Sequence, residues 1–286
     1  MPDLKALDYT DKELLYNHFM QPALVSAIAA LDLPKGARGL DAGCGPGGML
    51  HLLNQAIGGE IVGIDMSDGH LAAAQQQAEK YGLADRVRLA YVDLEQPLPF
   101  PDATFDYVWT ADTLSSGYEE EAFDDPVATV REFARVTKPG GVVALFFGNW
   151  LGTMLMPGYA HIEHCLTTAA EVRYRKRRRF HPSFHHENAL GWLQAAGLEN
   201  PRISAHFAHY QYPLPPELVY YIQRYVFEDE YIRPEGLKDY VHQVGMTEDD
   251  WKTWMSISDP DSPDYLLNRR DYFCVRFGTL SIGNVS

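Results

Sequence analysis

The stretch that most constrains this chain runs Leu40-Asp41-Ala42-Gly43-Cys44-Gly45-Pro46-Gly47-Gly48. A short apolar segment, residues 38–42, precedes it, and a helical pattern over 47–57 follows it. Glycines let a backbone turn tightly and approach a ligand without Cβ clashes. The helix beyond presents unpaired N–H groups and the positive end of its dipole, which suits an anionic or carboxylate-bearing ligand. Two ligand classes use such a turn. Gly43-x-Gly45-x-x-Gly48 matches the dinucleotide fingerprint, with Asp65 twenty residues beyond Gly45 at the ribose position. That match allows a nicotinamide-dependent oxidoreductase. The details of the turn, with Asp41 two residues before the first glycine, favour a different cofactor.

The surrounding pattern alternates. Strands are predicted at 60–65, 87–92, 105–111 and 142–147, with helices at 10–31, 68–81 and 124–137. Thr10 and Glu13 have the capping-box spacing at the start of the first helix. Alternating strands and helices imply a parallel sheet covered on both faces. Beyond 150 the pattern loosens to a helix at 188–197, a strand at 201–211, an aromatic helix at 217–228 and a last strand at 270–280.

Further motifs carry a resemblance. Ile64-Asp65-Met66 ends the second strand and Asp93-Leu94 follows the third. Phe105-Asp106-Tyr107-Val108 reads as F-D-x-V, and Arg135-Val136-Thr137-Lys138-Pro139-Gly140-Gly141 precedes the fifth strand, with Thr137 where Leu is usual. In this order and spacing they resemble the class I S-adenosylmethionine-dependent methyltransferases, in the small-molecule branch that includes the quinone-biosynthesis methyltransferases. The resemblance covers about residues 38–147 and is much weaker in the final third. It implies a three-layer, Rossmann-like α/β fold whose seven-stranded sheet is mostly parallel with an antiparallel last strand. It also implies an enzyme that moves a methyl group from S-adenosylmethionine to a small molecule and releases S-adenosylhomocysteine. By the same analogy Asp65 grips the ribose hydroxyls, Asp41 orders the turn and the methionyl end, and Gly43 and Gly45 let the backbone approach. Met66 and Leu94 pack on the adenine, Asp93 accepts from its amino group, and Thr110 faces the sulfonium. Cys44 is a small residue of the same cradle rather than a nucleophile.

The chain is expected to be a single methyltransferase domain over 1–286. Residues 1–37 form an N-terminal helical lid with Tyr16, His18 and Phe19, residues 38–150 the cofactor-binding core, and residues 151–286 substrate-shaping insertions and C-terminal strands. The acceptor is expected to be a small hydrophobic or aromatic metabolite. His161, His164 and His185 are the general-base candidates for an acceptor that starts protonated, and no metal site is expected from their spacing. Eight aromatics between 207 and 231 suit an acceptor pocket, a core or a homodimer face equally. A further reading is a protein of this fold that binds S-adenosylmethionine without methylating.

Charge bears on partners. Lys plus Arg is 24 against 39 Asp plus Glu, a formal net charge of −15, where a phosphate-tracking protein is normally basic. Nucleic acid is therefore not expected as a partner. Residues 173–179 hold six cations, from Arg173 to Arg179, which read as an alternating or salt-bridged face rather than a headgroup or RNA surface. Three widely spaced cysteines make no disulfide framework. With no apolar leader and no membrane span, a reducing, cytoplasmic location is expected.

Overall fold

The computed structural model describes residues 9–114, 125–175, 185–232 and 236–286. Seven strands form one sheet: β1 (Gly39–Ala42), β2 (Ile61–Asp65), β3 (Val87–Tyr91), β4 (Phe105–Ala111), β5 (Thr137–Gly148), β6 (Glu199–Gln211) and β7 (Phe273–Asn284). Their order is β3-β2-β1-β4-β5-β7-β6. β1 to β5 pair parallel, and β7 runs antiparallel to β5. The central strands are apolar on both faces, as a sheet covered by helices requires: Leu40, Ile64, Val108 and Leu145 are all fully buried. Helices α1 (Tyr9–Ala29), α2 (Leu50–Ala56), α3 (Asp68–Lys80) and α4 (Pro126–Val136) belong to this part, as does the short α6 (Ala189–Ala195).

By internal packing the chain divides into two units. The first comprises 1–148, 181–206 and 278–286; the second comprises 149–180 and 207–277. In the first unit the strand order reverses between β1 and β4, the place where open α/β sheets bind ligands, beyond the carboxyl ends of the strands.

Two of the motifs behind the resemblance lie at the opposite, amino end of the strands. Asp106, at the start of β4, accepts from the Arg38 N–H at 2.7 Å and from Lys138 Nζ at 2.7 Å. The Lys138-Pro139-Gly140-Gly141 segment is a bulge within β5, since Phe105 pairs with Thr137 but Tyr107 with Val142. A Cβ on Gly141 would lie 2.6 Å from the Asp106 carbonyl oxygen. F-D-x-V and K-P-G-G are thus halves of one joint that sets the β4–β5 register.

The second unit contains α5 (Ala160–Arg175), α7 (Pro216–Tyr221), α8 (Leu237–Gln243) and α9 (Glu248–Ile257). Sequence periodicity did not reveal α5, α8 or α9. In α5 the polar Glu163 and Thr167 are buried among a helical apolar set of Ile162, Cys165, Leu166, Ala169 and Ala170, which obscures the pattern. The predicted aromatic helix 217–228 is α-helical only to Tyr221 and then becomes a π-helix over Ile222–Glu230. Pairs five apart accordingly appear along it, beside others four apart: Tyr220 against Tyr225, Gln223 to Glu228, and Arg224 to Asp229. Tyr221, Tyr225, Phe227 and Tyr231 are buried, the last two edge-on to Trp254. Those four aromatics are core. Arg276 is 1% exposed, lies 4.0 Å from the Trp150 ring centroid and donates to the Tyr221 hydroxyl at 3.2 Å.

Candidate active site

The glycine turn is built where the strand order reverses. Gly43 N and Cys44 N both donate to the Ile64 carbonyl, at 2.8 and 2.9 Å, which ties the turn to the end of β2. Gly43, Gly45 and Gly47 have φ of +74°, +50° and +83°, values that L side chains rarely adopt. A Cβ on Gly43 would also meet the Thr113 methyl at 2.2 Å.

Asp65, the last residue of β2, holds the turn from the other side. Its Oδ2 accepts from Gly45 N at 2.9 Å and its Oδ1 from Ser67 N at 2.9 Å. His70 Nδ1 lies 3.4 Å from Oδ1. Ser67 caps α3 by accepting from His70 N. Asp41 lies at the end of β1 and is 1% exposed, and its Oδ2 has no hydrogen-bond partner. Burial, and secondarily the Asp65 carboxylate, push the Asp41 carboxyl up to about 7. A buried carboxylate left unpaired is costly unless a ligand or a proton meets it. Burial and the same two acids hold the Cys44 thiol well above its ordinary range, so it is protonated. That agrees with a packing role for Cys44 in the turn.

The other expected cofactor residues fall at the same strand ends. Met66 is 54% exposed. Asp93 Oδ1 accepts from Glu95 N at 2.9 Å. Leu94 is buried within the core cluster. Thr110 is fully buried on β4, and its Oγ1 has no hydrogen-bond partner.

Helix α1 reaches over this edge. Thr10 lies inside α1, which already includes Tyr9, so the capping-box reading of Thr10 and Glu13 does not hold. Glu13 instead extends to the turn, its Oε2 3.0 Å from the position of a Cβ on Gly45. Asn17 Nδ2 approaches the Gly48 position to 2.2 Å, and the Tyr16 hydroxyl approaches that of Gly148 to 1.9 Å. Tyr16 donates to Asp112 Oδ2 at 3.1 Å, and Asp112 Oδ1 accepts from Gly148 N at 2.8 Å. Sequence reasoning singled out Tyr16, and placed the acceptor near Thr110-Ala111-Asp112, but missed Asn17, the role of Glu13 and the contact of Asp112 with α1. Those contacts join residues far apart in the chain and have no local signature.

The general-base candidates separate. His161 and His164 are exposed on α5 in the second unit, where the His161 ring is 3.7 Å from Asp250. His185 belongs to the first unit and lies beside His186, whose ring stacks on Phe147 of β5 at 5.3 Å. Burial, then His185, push His186 down to about 4, so it is neutral at pH 7. His185, His186 and Glu187 bring ligand-type atoms within 4.8 Å of one another, a grouping the spacing did not suggest. The basic run falls mostly outside the described residues, at 176–179, as does His181. No helix among the described residues is long and apolar enough to cross a membrane.

Residues 40–145 match the family model described as a methyltransferase domain. The chain is 38% identical over 115 residues to a demethylmenaquinone methyltransferase of Bacillus licheniformis, covering 40% of this chain and 45% of that protein. It is 36% identical over 142 residues to the 27-O-demethylrifamycin SV methyltransferase of Amycolatopsis mediterranei, covering 50% and 48%. It thus spans about half the length of the curated relatives it matches. Among solved structures, geranyl diphosphate C-methyltransferase from Streptomyces coelicolor superposes with a TM-score of 0.51 at 14% identity, covering 94% of this chain and 80% of that one. That likeness concerns the fold, and the sequence matches concern the half of the chain that holds the glycine turn. Over residues 40–145 the chain is thus similar to methyltransferase domains, which bears out the resemblance that its motifs carry.

Proposed function

We propose that this chain transfers a methyl group from S-adenosylmethionine to a small hydrophobic or aromatic acceptor and releases S-adenosylhomocysteine. The observation that carries the reading is the pairing of Asp41 and Asp65 across the glycine turn, with Asp41 Oδ2 buried and unpartnered. The cofactor meets both needs of this site. Its ribose diol offers two donors to a carboxylate, and its positive charge compensates a buried acid. We assign the diol to Asp65 and the methionyl end to Asp41 and the backbone at Gly43 and Gly45. The adenine falls to Met66, Asp93 and the chain at Leu94, with Cys44 packed beneath and Thr110 toward the reacting end.

When bound, the cofactor supplies an activated methyl for displacement at carbon. The protein's part is to align the acceptor in line with that methyl and to keep water out. Asp65 orients through two backbone N–H groups that fix its own position. Asp112 and Tyr16 secure α1 over the carboxyl end of β4. His185 is the general-base candidate that shares a unit with the turn.

Titration calorimetry with S-adenosylhomocysteine and with NADH tests the reading, repeated on Asp65→Asn and Asp65→Ala. Saturable binding of the first ligand alone, lost in both variants while circular dichroism is unchanged, is the expected result. Binding of NADH alone would transfer the site to the dinucleotide class.

A further inference from the structure

His185, His186 and Glu187 are the one group, among the described residues, in which three metal-ligating side chains each bring an atom within 4.8 Å of the other two. Two imidazoles and a carboxylate are a donor set for a divalent transition-metal ion such as zinc. All three residues belong to the first unit, and a 3-10 turn over His186–Asn188 keeps them compact. Glu187 N donates to His185 Nδ1 at 3.3 Å, so the lone pair of that nitrogen faces Glu187. Glu187 Oε2 lies 3.6 Å from the same nitrogen, a separation too long for a hydrogen bond. It is near the roughly 3.4 Å between two ligands of a tetrahedral ion whose bonds measure about 2.0–2.1 Å. His186 lies beside His185, ring centroids 4.2 Å apart, and stacks on Phe147 at 5.3 Å. Phe147 is buried and immediately precedes Gly148, the last residue of β5. The group therefore lies at the carboxyl end of the sheet, the end where α/β folds of this kind bind ligands.

We propose that His185, His186 and Glu187 are the protein ligands of a divalent transition-metal ion of zinc-like preference. The inference goes beyond the methyl-transfer reading and does not depend on it. Phe147 fixes the His186 ring, while the Glu187 side chain, 62% exposed, gives an ion its way in from solvent. Three protein ligands leave a fourth position open to water or to an oxygen of a bound small molecule. Coordination also takes the lone pair that a general base uses, so an ion here makes His185 a ligand rather than a base.

The test is calorimetric titration of zinc chloride into the full chain stripped with EDTA, with bound metal counted after gel filtration. Saturable binding of one ion is expected. Three variants each remove one ligand and spare the local structure. His185→Asn keeps a capping side chain, His186→Phe keeps a ring on Phe147, and Glu187→Gln keeps the shape. Each is expected to weaken zinc binding at least about tenfold, since even the partners that orient metal ligands are worth that much. Thermal melts of the metal-free variants check that they are folded. His161→Gln, on α5, is the control and is expected to bind zinc as the parent does. Magnesium chloride at equal concentration is expected not to displace zinc, because magnesium takes oxygen ligands. No saturable binding to the parent overturns the inference. So does binding that all three variants retain, or that His161→Gln loses, since either places the ion at other histidines. Displacement by magnesium overturns the zinc-like preference.

Discussion

The Tyr16 hydroxyl and the Asp112 carboxylate are hydrogen-bonded at 3.1 Å although 96 residues separate them. Asp112 follows β4 directly with φ +55°, and its other oxygen takes the Gly148 N–H at the end of β5. One carboxylate thereby joins α1, β4 and β5 at the edge where the glycine turn lies. Gly148 has room for no side chain there, because the Tyr16 oxygen occupies the Cβ position at 1.9 Å.

That contact predicts strong non-additivity. Tyr16→Phe removes a hydrogen bond to a charged acceptor, worth about 1.5–3 kcal/mol when fully formed and less here because the bond is solvent-accessible. Gly148→Ala forces the phenol aside and is expected to destabilise more. With the hydroxyl gone the next atom is 3.2 Å away, so the double variant is expected to be more stable than the sum of the singles. Urea unfolding of the four proteins measures the coupling. Simple additivity would show that α1 does not seat through Tyr16.

Asp41 predicts a pH dependence. Its carboxyl titrates at about 7 in the folded chain, against about 4 when unfolded. Between those values the folded chain holds a proton that the unfolded chain has released, so this group's contribution to stability falls as pH rises from about 4 to about 7 and is level above. Asp41→Asn removes the effect. The variant is expected to gain more than about 1 kcal/mol over the parent at pH 8 relative to pH 5, while losing affinity for S-adenosylmethionine. Thermal melts at the two pH values are the measurement. An equal change at both would place the Asp41 carboxyl at its ordinary value.

Asp106 and Lys138 predict the opposite division of effects. Their ion pair is partly exposed and sits at the amino end of β4, so Lys138→Met is expected to cost under about 1 kcal/mol. Affinity for S-adenosylhomocysteine should stay unchanged, because the joint lies away from the glycine turn. A cofactor defect with intact stability would contradict the structural role given to the K-P-G-G bulge.

In the second unit Arg276 is buried under Trp150, and burial raises the Glu163 carboxyl, opposed by the hydrogen bonds it accepts and, least, by the charge of Arg276. Glu163 is held by Thr153 Oγ1 and by the N–H groups of Leu155 and Met156. Arg276→Ala removes a buried side chain that packs on Trp150 and donates to the Tyr221 hydroxyl, with an expected loss of about 2 kcal/mol or more. Denaturant unfolding followed by Trp fluorescence reports it. A loss under about 1 kcal/mol would mean that Arg276 contributes packing alone.

Much of the first unit was legible from the chain. The strands at β1 to β5 and the glycine turn are local: apolar runs bounded by glycine and proline set strand ends, and positive φ demands glycine where it occurs. The positions of Asp41 and Asp65 were also legible, because each falls within the carboxyl end of a strand beside the glycine turn. Only the three-dimensional packing showed that F-D-x-V and K-P-G-G are one joint remote from the site, since each motif is local but their contact is not. The helix α5 was hidden because the polar Glu163 and Thr167 are buried among its apolar residues, and the π-helix because a pattern of five is close to a pattern of four. Glu13 illustrates the division. Its spacing from Thr10 suggested a cap, a matter of one helical turn. Its place beside Gly45, alongside Asp65, depends on how α1 crosses the sheet, and side chains from distant segments meet by packing rather than by any periodicity a single chain displays.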